Sequence, residues 1–267
     1  MQGRTALVTG ATDGLGRAVA GDLVARGARV LVHGRDRERA EAVAHAIGAG
    51  GVYVADLASL ADVRRLAAEV TRDHPALHVL VNNAGIGSTL PGDGERMESA
   101  DGYELRFAVN YLAGFLLTRL LEPLLVAGAP ARVVNVASAG QAPIDFDDVM
   151  LERGYDGSRA YAQSKLAQVM FTLDLADRLR DAGVTVTALH PSTYMPTKMV
   201  LHARGSGVDS LEAGVAATVR LICEPELEGV TGRYFERTSE AQADPQAYDA
   251  DARRRLWELS ERLTGLA

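Results

Sequence analysis

Short apolar runs alternate along the chain with longer amphipathic segments. The runs are continuously apolar, a pattern typical of strands buried on both faces of a parallel sheet. The segments between them have helical spacing; in one of them Leu15, Val19 and Leu23 recur four residues apart and Gly27 follows as a plausible helix end. The predicted strands are 4–9, 29–33, 51–55, 77–83, 132–137, 184–190 and 232–235.

This alternation predicts an α/β fold with a doubly wound parallel sheet. The chain contains no repeat or long linker, so we expect residues 1–267 to form a single domain. Two irregular stretches follow predicted strands: an insert at about 139–158 and a loop at about 191–208. Because such folds bind ligands at the carboxyl ends of their strands, the second stretch is predicted to be the substrate loop.

Composition narrows the classes of partner. Hydrophobic residues make up 47% of the chain, enough for a sizeable core, and the net charge of −7 argues against nucleic acid or an anionic membrane surface. The single cysteine, Cys223, excludes a disulfide framework. We see no signal peptide, and the apolar runs are interrupted before the roughly 18 residues that a membrane span needs. We therefore expect a cytoplasmic protein with no membrane partner.

A glycine-rich turn, TGATDGLG at Thr9–Gly16, joins the first predicted strand to the first helix. Its glycines permit a tight turn that a ligand can approach closely, and the helix start offers free N–H groups to a phosphate. The turn therefore predicts a nucleotide site, with a merely tight connection as the alternative. The residues expected to contact the cofactor here are Gly10, Thr12, Asp13, Gly14, Leu15 and Gly16.

The end of the second predicted strand bears on the choice of dinucleotide. An acidic side chain there would bond the 2′-hydroxyl of NAD, whereas VHGRD presents Arg35, whose guanidinium matches a 2′-phosphate. NADP(H) is therefore favoured. NAD(H) stays open as the alternative, because Asp13 adds negative charge nearby and Arg35 could be a solvated charge at a helix start.

The stretch YAQSK carries Tyr161 and Lys165 on one face of a predicted helix. An ammonium one turn away favours the phenolate, so we expect Lys165 to lower the pKa of Tyr161 from its ordinary value of about 10. A proton donor poised near the working pH suits acid–base catalysis. A solvated helix edge is the alternative for such a pair.

These stretches together resemble the short-chain dehydrogenase/reductase family over nearly the whole chain. The signatures are TGATDGLG, NNAG at 82–85, Asn110 in AVNYLAGF, Ser138 after a strand, and YAQSK. GARVLVHGRD, VNYLAGFLLTRLL, RVVNVAS and the insert before YAQSK are most like the retinol dehydrogenase and WW-domain oxidoreductase-like branch. The resemblance implies a Rossmann fold and hydride transfer between NADP(H) and a carbonyl or alcohol of an apolar retinoid-, steroid- or polyketide-like molecule.

The resemblance also assigns roles. Tyr161 exchanges the proton, Lys165 tunes it and holds the nicotinamide ribose, and Ser138 hydrogen-bonds the substrate oxygen. Asn110 anchors a water that relays protons, unless it is a buried asparagine at a helix kink. Further residues are expected along the cofactor: Asp56, Leu57, Asn83, Ala84, Gly85, Pro191, Thr193 and Thr197.

Several of these positions have alternatives. Asp56 could bond local backbone, and the asparagines of NNAG could tie strands together. Ser192 stands where the family often has glycine, so the register of the following loop is open. The loop's apolar residues form a substrate wall or pack a short helix: Tyr194, Met195, Met199, Val200 and Leu201. The acidic residues of the insert are expected to keep it solvated: Asp145, Asp147, Asp148, Glu152 and Asp156.

Two other functions stay open: a catalytically silent NADP(H)-binding scaffold or sensor, and a non-redox lyase or epimerase on the same fold. Segments 98–121 and 158–180 pair subunits in many relatives, which implies a homo-oligomer, a dimer or tetramer, although the insert could obstruct one interface and leave a monomer. The histidines lack metal-ligand spacing, so no metal site is predicted: His33, His45, His74, His78, His190 and His202.

Overall fold

The computed structural model describes residues 1–88, 95–197, 200–201 and 205–267. One eight-stranded sheet lies at its centre, with the order β3-β2-β1-β4-β5-β6-β7-β8. Neighbouring strands run parallel, except for the antiparallel pair β7 and β8. The strands are β1 Thr5–Val8, β2 Arg29–Gly34, β3 Gly51–Val54, β4 Val79–Asn82, β5 Ala131–Val136, β6 Val184–His190, β7 Arg233–Glu236 and β8 Ser239–Ala241.

Helices cover both faces of this sheet. Within the described residues they are α1 Gly14–Ala25, α2 Arg37–Ile47, α3 Leu60–Asp73, α4 Ala113–Ala127, α5 Gly157–Arg178, α6 Leu211–Cys223 and α7 Ala250–Thr264. Helices α1, α2 and α6 pack one apolar core, and α3, α4, α5 and α7 pack the other. The predicted single α/β domain with a doubly wound sheet is confirmed. Strand β8 was not predicted, because its three residues contain no apolar run.

The strand order reverses between β1 and β4, where the chain crosses from one half of the sheet to the other. Ligands of doubly wound folds bind at such a point, in the crevice at the carboxyl ends of the strands. The segments that carry the predicted site all begin at this edge: they follow β1, β2, β3, β4, β5 and β6.

One segment of the described chain, Phe107–Ala127, is long and apolar enough to cross a membrane. This corrects the expectation that every apolar run is interrupted too early. Asn110 and Arg119 do not break the segment, because Asn110 is buried with its amide hydrogen-bonded inside the protein and Arg119 forms ion pairs. Most of the segment is buried in the fold, so its apolar composition fits a core helix.

Helix α7 covers part of the outer surface of α4 and α5. The ring centroid of Trp257 lies 5.3 Å from that of Phe115 and 6.0 Å from that of Phe171. The Arg178 guanidinium also stacks on this ring, 3.8 Å from the Trp257 ring centroid. The surface around Phe115 and Phe171 is therefore covered by α7 of the same chain. This part of α4 and α5 is not open to a second subunit, although both helices were expected to pair subunits.

Candidate active site

The turn between β1 and α1 can be built only with glycine at key positions. Gly10 and Gly14 have φ values of +63° and +50°. A Cβ on Gly16 would lie 2.4 Å from both the Gly10 carbonyl oxygen and Asn83 Nδ2. Asp13 Oδ1 accepts a hydrogen bond from the Gly14 N–H at 2.8 Å and caps α1. The turn thus fits the close approach of a ligand's phosphates to backbone N–H groups.

Asn83 and Ala84 of NNAG hold this turn from behind. Asn83 Nδ2 donates to the Thr9 carbonyl oxygen at 2.8 Å. Thr9 Oγ1 accepts the backbone N–H groups of Asn83 and Ala84, each at 3.0 Å. The expectation that asparagine ties neighbouring strands is confirmed for Asn83. A Cβ on Gly85 would lie 3.1 Å from Asn110 Oδ1, so glycine lets the chain pass close to that amide, and the same Cβ would lie 3.7 Å from Lys165 Nζ.

His33, at the end of β2, fastens the turn from the other side. Its Nδ1 accepts the Gly10 N–H and its Nε2 donates to the Ala55 carbonyl oxygen, both at 3.2 Å. Burial lowers the pKa of His33 to about 4, so the ring is neutral, as this pair of bonds requires. Sequence reasoning missed His33, although a polar residue in an otherwise apolar strand was a signal.

The residues predicted for the adenosine end lie beside this turn. Arg35 is exposed, and within the described chain no hydrogen bond or ion pair holds its guanidinium. Asp13 Oδ2 lies 3.5 Å from Arg39 Nη2, which offsets the charge of Asp13. Thr12 packs its methyl group over Gly34, where a Cβ would lie 2.4 Å away.

Two other predicted cofactor contacts have local roles. Asp56 Oδ1 accepts the Ala58 N–H at 2.9 Å, the backbone bond proposed as its alternative. The side chains of Leu57 and Leu15 are buried in the two apolar cores, 7% and 6% exposed, so only their backbone can face the cleft. Contacts of Asp56 and Leu57 with adenine stay a prediction.

Ser138, Tyr161 and Lys165 come together at the ends of β5 and α5. The Ser138 hydroxyl lies close enough to the Tyr161 phenol to offset part of the rise in its pKa that burial causes, and Lys165 Nζ lies 5.7 Å from the centroid of that ring. Lys165 Nζ donates to the Val136 carbonyl oxygen and to Gln168 Oε1, each at 2.9 Å. The structure thus assembles a phenol, a hydroxyl and an amine from two separate elements.

The pKa of Tyr161 departs from the sequence-based expectation. Burial raises the pKa of the phenol, and burial also lowers the pKa of Lys165 to about 7. The expected lowering of the Tyr161 pKa by Lys165 is wrong for the chain alone. The reason is that burial disfavours the charged form of both groups.

The Ser138 backbone is held by two residues that sequence reasoning missed. Its carbonyl oxygen accepts from Gln141 Nε2 at 2.8 Å and from the Tyr234 hydroxyl at 3.1 Å. Ser138 Oγ accepts the Gly140 N–H at 3.1 Å. Tyr234 lies on β7, 96 residues further along the chain, and no local pattern could reveal this contact.

Asn110 lies in one π-helical turn, Phe107–Leu112, that precedes α4. Its Oδ1 accepts the Ile86 N–H at 2.7 Å. Its Nδ2 donates to the Ile86 carbonyl oxygen at 3.1 Å and to Ser164 Oγ at 2.9 Å. The side chain of Asn110 is therefore a buried asparagine at a helix irregularity, which was the alternative to the relay role. Its hydrogen bonds fix the segment after β4. A relay role stays a prediction.

The loop after β6 is fastened by Asp209. Asp209 Oδ2 accepts from Ser192 Oγ at 3.0 Å and from the Thr193 N–H at 2.8 Å. Ser192, the departure from the family pattern, therefore has a structural partner. Thr197 Cγ2 would lie 3.0 Å from a Cβ on Gly14, which places Thr197 against the phosphate turn.

The apolar residues of this loop divide into two groups. Tyr194 and Leu201 are 45% and 43% exposed. Met195 packs against the helix opposite, where its sulfur would meet a Cβ on Gly214. Pro191 is buried at the end of β6. Met199, predicted for the same wall, and His202 lie outside the described residues.

The insert packs against the protein, which corrects the expectation of a merely solvated segment. Ile144 and Leu151 are 3% and 1% exposed. The Tyr155 hydroxyl donates to Glu104 Oε1 at 3.0 Å and accepts from Arg106, a buried arginine. The apolar side chains of the insert pack on the core, and this burial determines its position despite its acidic residues.

Within the described ranges, no group of three or more His, Cys, Asp or Glu side chains is placed to hold a metal ion. The site instead fits a dinucleotide. The glycine turn can take its phosphates at a helix start, Gly85 opens the chain beside Lys165, and Ser138 and Tyr161 lie at the next strand end.

Known proteins are similar to this chain over nearly its whole length. The family model for short chain dehydrogenases matches residues 4–205. Human retinol dehydrogenase 14 is 38% identical over 300 residues, covering 100% of this chain and 88% of the relative.

Two solved structures are similar over most of their length. A protein of Mycobacterium paratuberculosis has a TM-score of 0.79 at 32% identity and covers 99% of this chain and 94% of its own. RhlG of Pseudomonas aeruginosa, solved as an active-site complex with NADP, has a TM-score of 0.74 at 28% identity, with 88% and 95% covered. The chain therefore belongs to the short-chain dehydrogenase/reductase family, in its retinol dehydrogenase-like branch.

Proposed function

We propose that this oxidoreductase transfers a hydride between NADP(H) and the carbonyl or alcohol carbon of an apolar substrate, with Tyr161 exchanging the proton. The cluster of half-buried Ser138 and Tyr161 with buried Lys165, beside the glycine turn, carries the proposal. When bound, the nicotinamide supplies or accepts the hydride, and the protein positions the reacting groups.

The state of Tyr161 suits proton donation during reduction. Burial raises the pKa of the phenol, so the phenol keeps its proton at neutral pH. The Ser138 hydroxyl lies beside the phenol and is suited to bind the substrate oxygen as negative charge develops there. When the proton leaves Tyr161, the ammonium form of Lys165, whose Nζ lies 5.7 Å from the centroid of the Tyr161 ring, stabilises the resulting phenolate.

The preference for NADP(H) rests on the charge at the end of β2. Arg35 is exposed and carries a guanidinium suited to a 2′-phosphate. Arg39 offsets Asp13, which removes the main electrostatic objection to a phosphate at this position. The NADP complex of the RhlG relative supports the same cofactor, and NAD(H) is the alternative.

Two observations support an apolar substrate: the exposed apolar side chains of the loop after β6, and the similarity to retinol dehydrogenases. Tyr194 and Leu201 leave nearly half of their surfaces exposed on this loop. Tyr194 is close enough to Tyr161 to influence its pKa. Retinol dehydrogenase 14, the human relative, is named for an apolar alcohol. A clear preference for small phosphorylated carbonyls would contradict this part of the proposal.

The test follows NADPH absorbance with a panel of apolar and small carbonyls, for wild type and Tyr161→Phe. We expect kcat for an apolar carbonyl to fall by about 10²–10⁴-fold in the variant, because general acid catalysis is lost. NADPH binding, measured by fluorescence, should persist. Turnover that survives in Tyr161→Phe would remove that residue from its role.

The same panel separates the other two functions. Cofactor binding without turnover of any carbonyl would indicate a scaffold or sensor. Product formed without a net change in NADPH absorbance would indicate a lyase or epimerase. A cytoplasmic location and a homo-oligomer are further parts of the proposal, which cell fractionation and sedimentation test.

A further inference from the structure

Lysine is rare in this chain, and one of the two lysines lies in the site. The chain has 26 arginines and only Lys165 and Lys198 as lysines. Arginine stays charged in proteins, whereas a buried lysine readily loses its proton. Position 165 is therefore a place where the fold has an amine that can titrate.

The environment of Lys165 contains few charges. Lys165 is 5% exposed, and its Nζ donates hydrogen bonds to the Val136 carbonyl oxygen and to Gln168 Oε1. The titratable side chains that face it are Tyr161 on α5 and His190 at the end of β6. The segments after β4 and before α4 approach with Gly85 and the neutral amide of Asn110.

We propose that Gln168 is a positioning residue that holds the Lys165 amine toward Tyr161 and favours its ammonium form, an inference that rests on the proposed function. Gln168 lies on α5 one turn after Lys165, is 4% exposed, and places Oε1 2.9 Å from Nζ. An ammonium has three N–H donors. Val136 and Gln168 take two, which leaves one for the site.

A neutral amide at this position has a specific consequence. Its oxygen stabilises the ammonium by a hydrogen bond to a charged group, yet it adds no charge that would hold Lys165 permanently protonated. Removing the acceptor should therefore make deprotonation easier, and replacing it with a carboxylate should make deprotonation harder. Two nearly isosteric variants, Gln168→Met and Gln168→Glu, test these opposite directions.

The measurement is an NMR titration of the protein labelled in its lysine side chains. With two lysines there are two signals, and Lys198→Arg assigns them. We expect the Lys165 midpoint to move down by roughly one pH unit or more in Gln168→Met and up by a similar amount in Gln168→Glu. The basic limb of the pH profile of kcat/KM should move in the same directions.

The control is Gln163→Leu, which removes another buried glutamine of α5. Gln163 Oε1 accepts the Asp145 N–H at 3.0 Å and holds the insert. Its loss should leave the Lys165 titration unchanged. Three results would overturn the inference. The Lys165 midpoint could stay unchanged in both Gln168 variants, it could shift equally in Gln163→Leu, or the pH profile of kcat/KM could fail to follow it.

The NMR titration needs no turnover, so it separates two kinds of failure. Opposite midpoint shifts in a protein without carbonyl turnover would support the contact with Lys165 and contradict the proposed function. Normal turnover with unmoved midpoints would contradict the role of Gln168 alone.

Discussion

The two sides of the cleft are built in different ways. The side formed by the ends of β1, β2 and β4 is cross-tied by Thr9, His33 and Asn83 around glycines that admit no side chain. The side formed by the loop after β6 is fastened at its base by Asp209 and leaves Tyr194 half exposed. A rigid side suits a ligand of constant shape, such as a cofactor. A side with more exposed side chains can accommodate variation in the substrate.

Gly16→Ala should break the rigid side and have the largest effect. The added methyl group would meet the Gly10 carbonyl oxygen and Asn83 Nδ2 at 2.4 Å, so the turn must shift. We expect NADPH affinity to fall by about 100-fold and stability by about 1–3 kcal/mol. Fluorescence titration and thermal unfolding measure the two effects.

Gly21→Ala is the matched control for this prediction. It lies on the same helix, and its Cβ would make ordinary contact with Ile47 at 3.8 Å. It should bind NADPH normally and gain about 0.5–1 kcal/mol of stability. Equal behaviour of the two variants would contradict a tightly constrained turn.

Arg35→Ala should remove selectivity from the rigid side without disturbing its shape. Loss of a charge-assisted contact predicts a fall in NADPH affinity of about 10–100-fold, with NADH affinity unchanged. Arg37→Ala serves as the control, because Arg37 is more than half exposed and pairs with Glu41 at 3.2 Å. If both cofactors weakened equally, the assignment of Arg35 to the 2′-phosphate would fail.

Asp209→Asn should loosen the base of the substrate loop. The Thr193 N–H, and then Ser192, hold the pKa of Asp209 below its usual range, so the wild-type carboxylate is lost only as pH falls through that lowered value. We expect KM for the carbonyl to rise several-fold in the variant at neutral pH, while NADPH affinity changes little. Steady-state kinetics measures KM, and Asp177→Asn is the control, because Asp177 forms an exposed ion pair with Arg180. An unchanged KM would show that the loop is held elsewhere.

Tyr194→Ala should have the smallest effect, a few-fold rise in KM confined to apolar substrates. The exposed ring offers apolar surface beside Tyr161, and its loss removes that contact. Tyr194→Phe keeps the ring and should behave as wild type. If the Phe variant were as impaired as the Ala variant, the hydroxyl would matter and not the apolar surface.

The sequence was sufficient wherever a feature depends on neighbouring residues. The glycine turn, seven of the strands and the Tyr161–Lys165 pair follow from spacing within a few residues, and the structure contains all three. Sequence reasoning missed the residues that hold the site from afar. His33 lies 23 residues from Gly10, and Tyr234 lies 96 residues from Ser138. A local sequence pattern does not indicate which distant side chain will hydrogen-bond to a given backbone group.

The sequence by itself determined which chemical groups lie at the ends of the strands. The apolar strand pattern and the glycines that follow strands locate these ends along the chain. Tertiary structure alone decided their protonation. The fold buries Lys165 and packs the half-buried Tyr161 beside it, so desolvation raises the pKa of the phenol and lowers that of the amine, contrary to what spacing suggested. Burial is a property of the whole packed chain, and it outweighs the attraction between two residues that share a helix face.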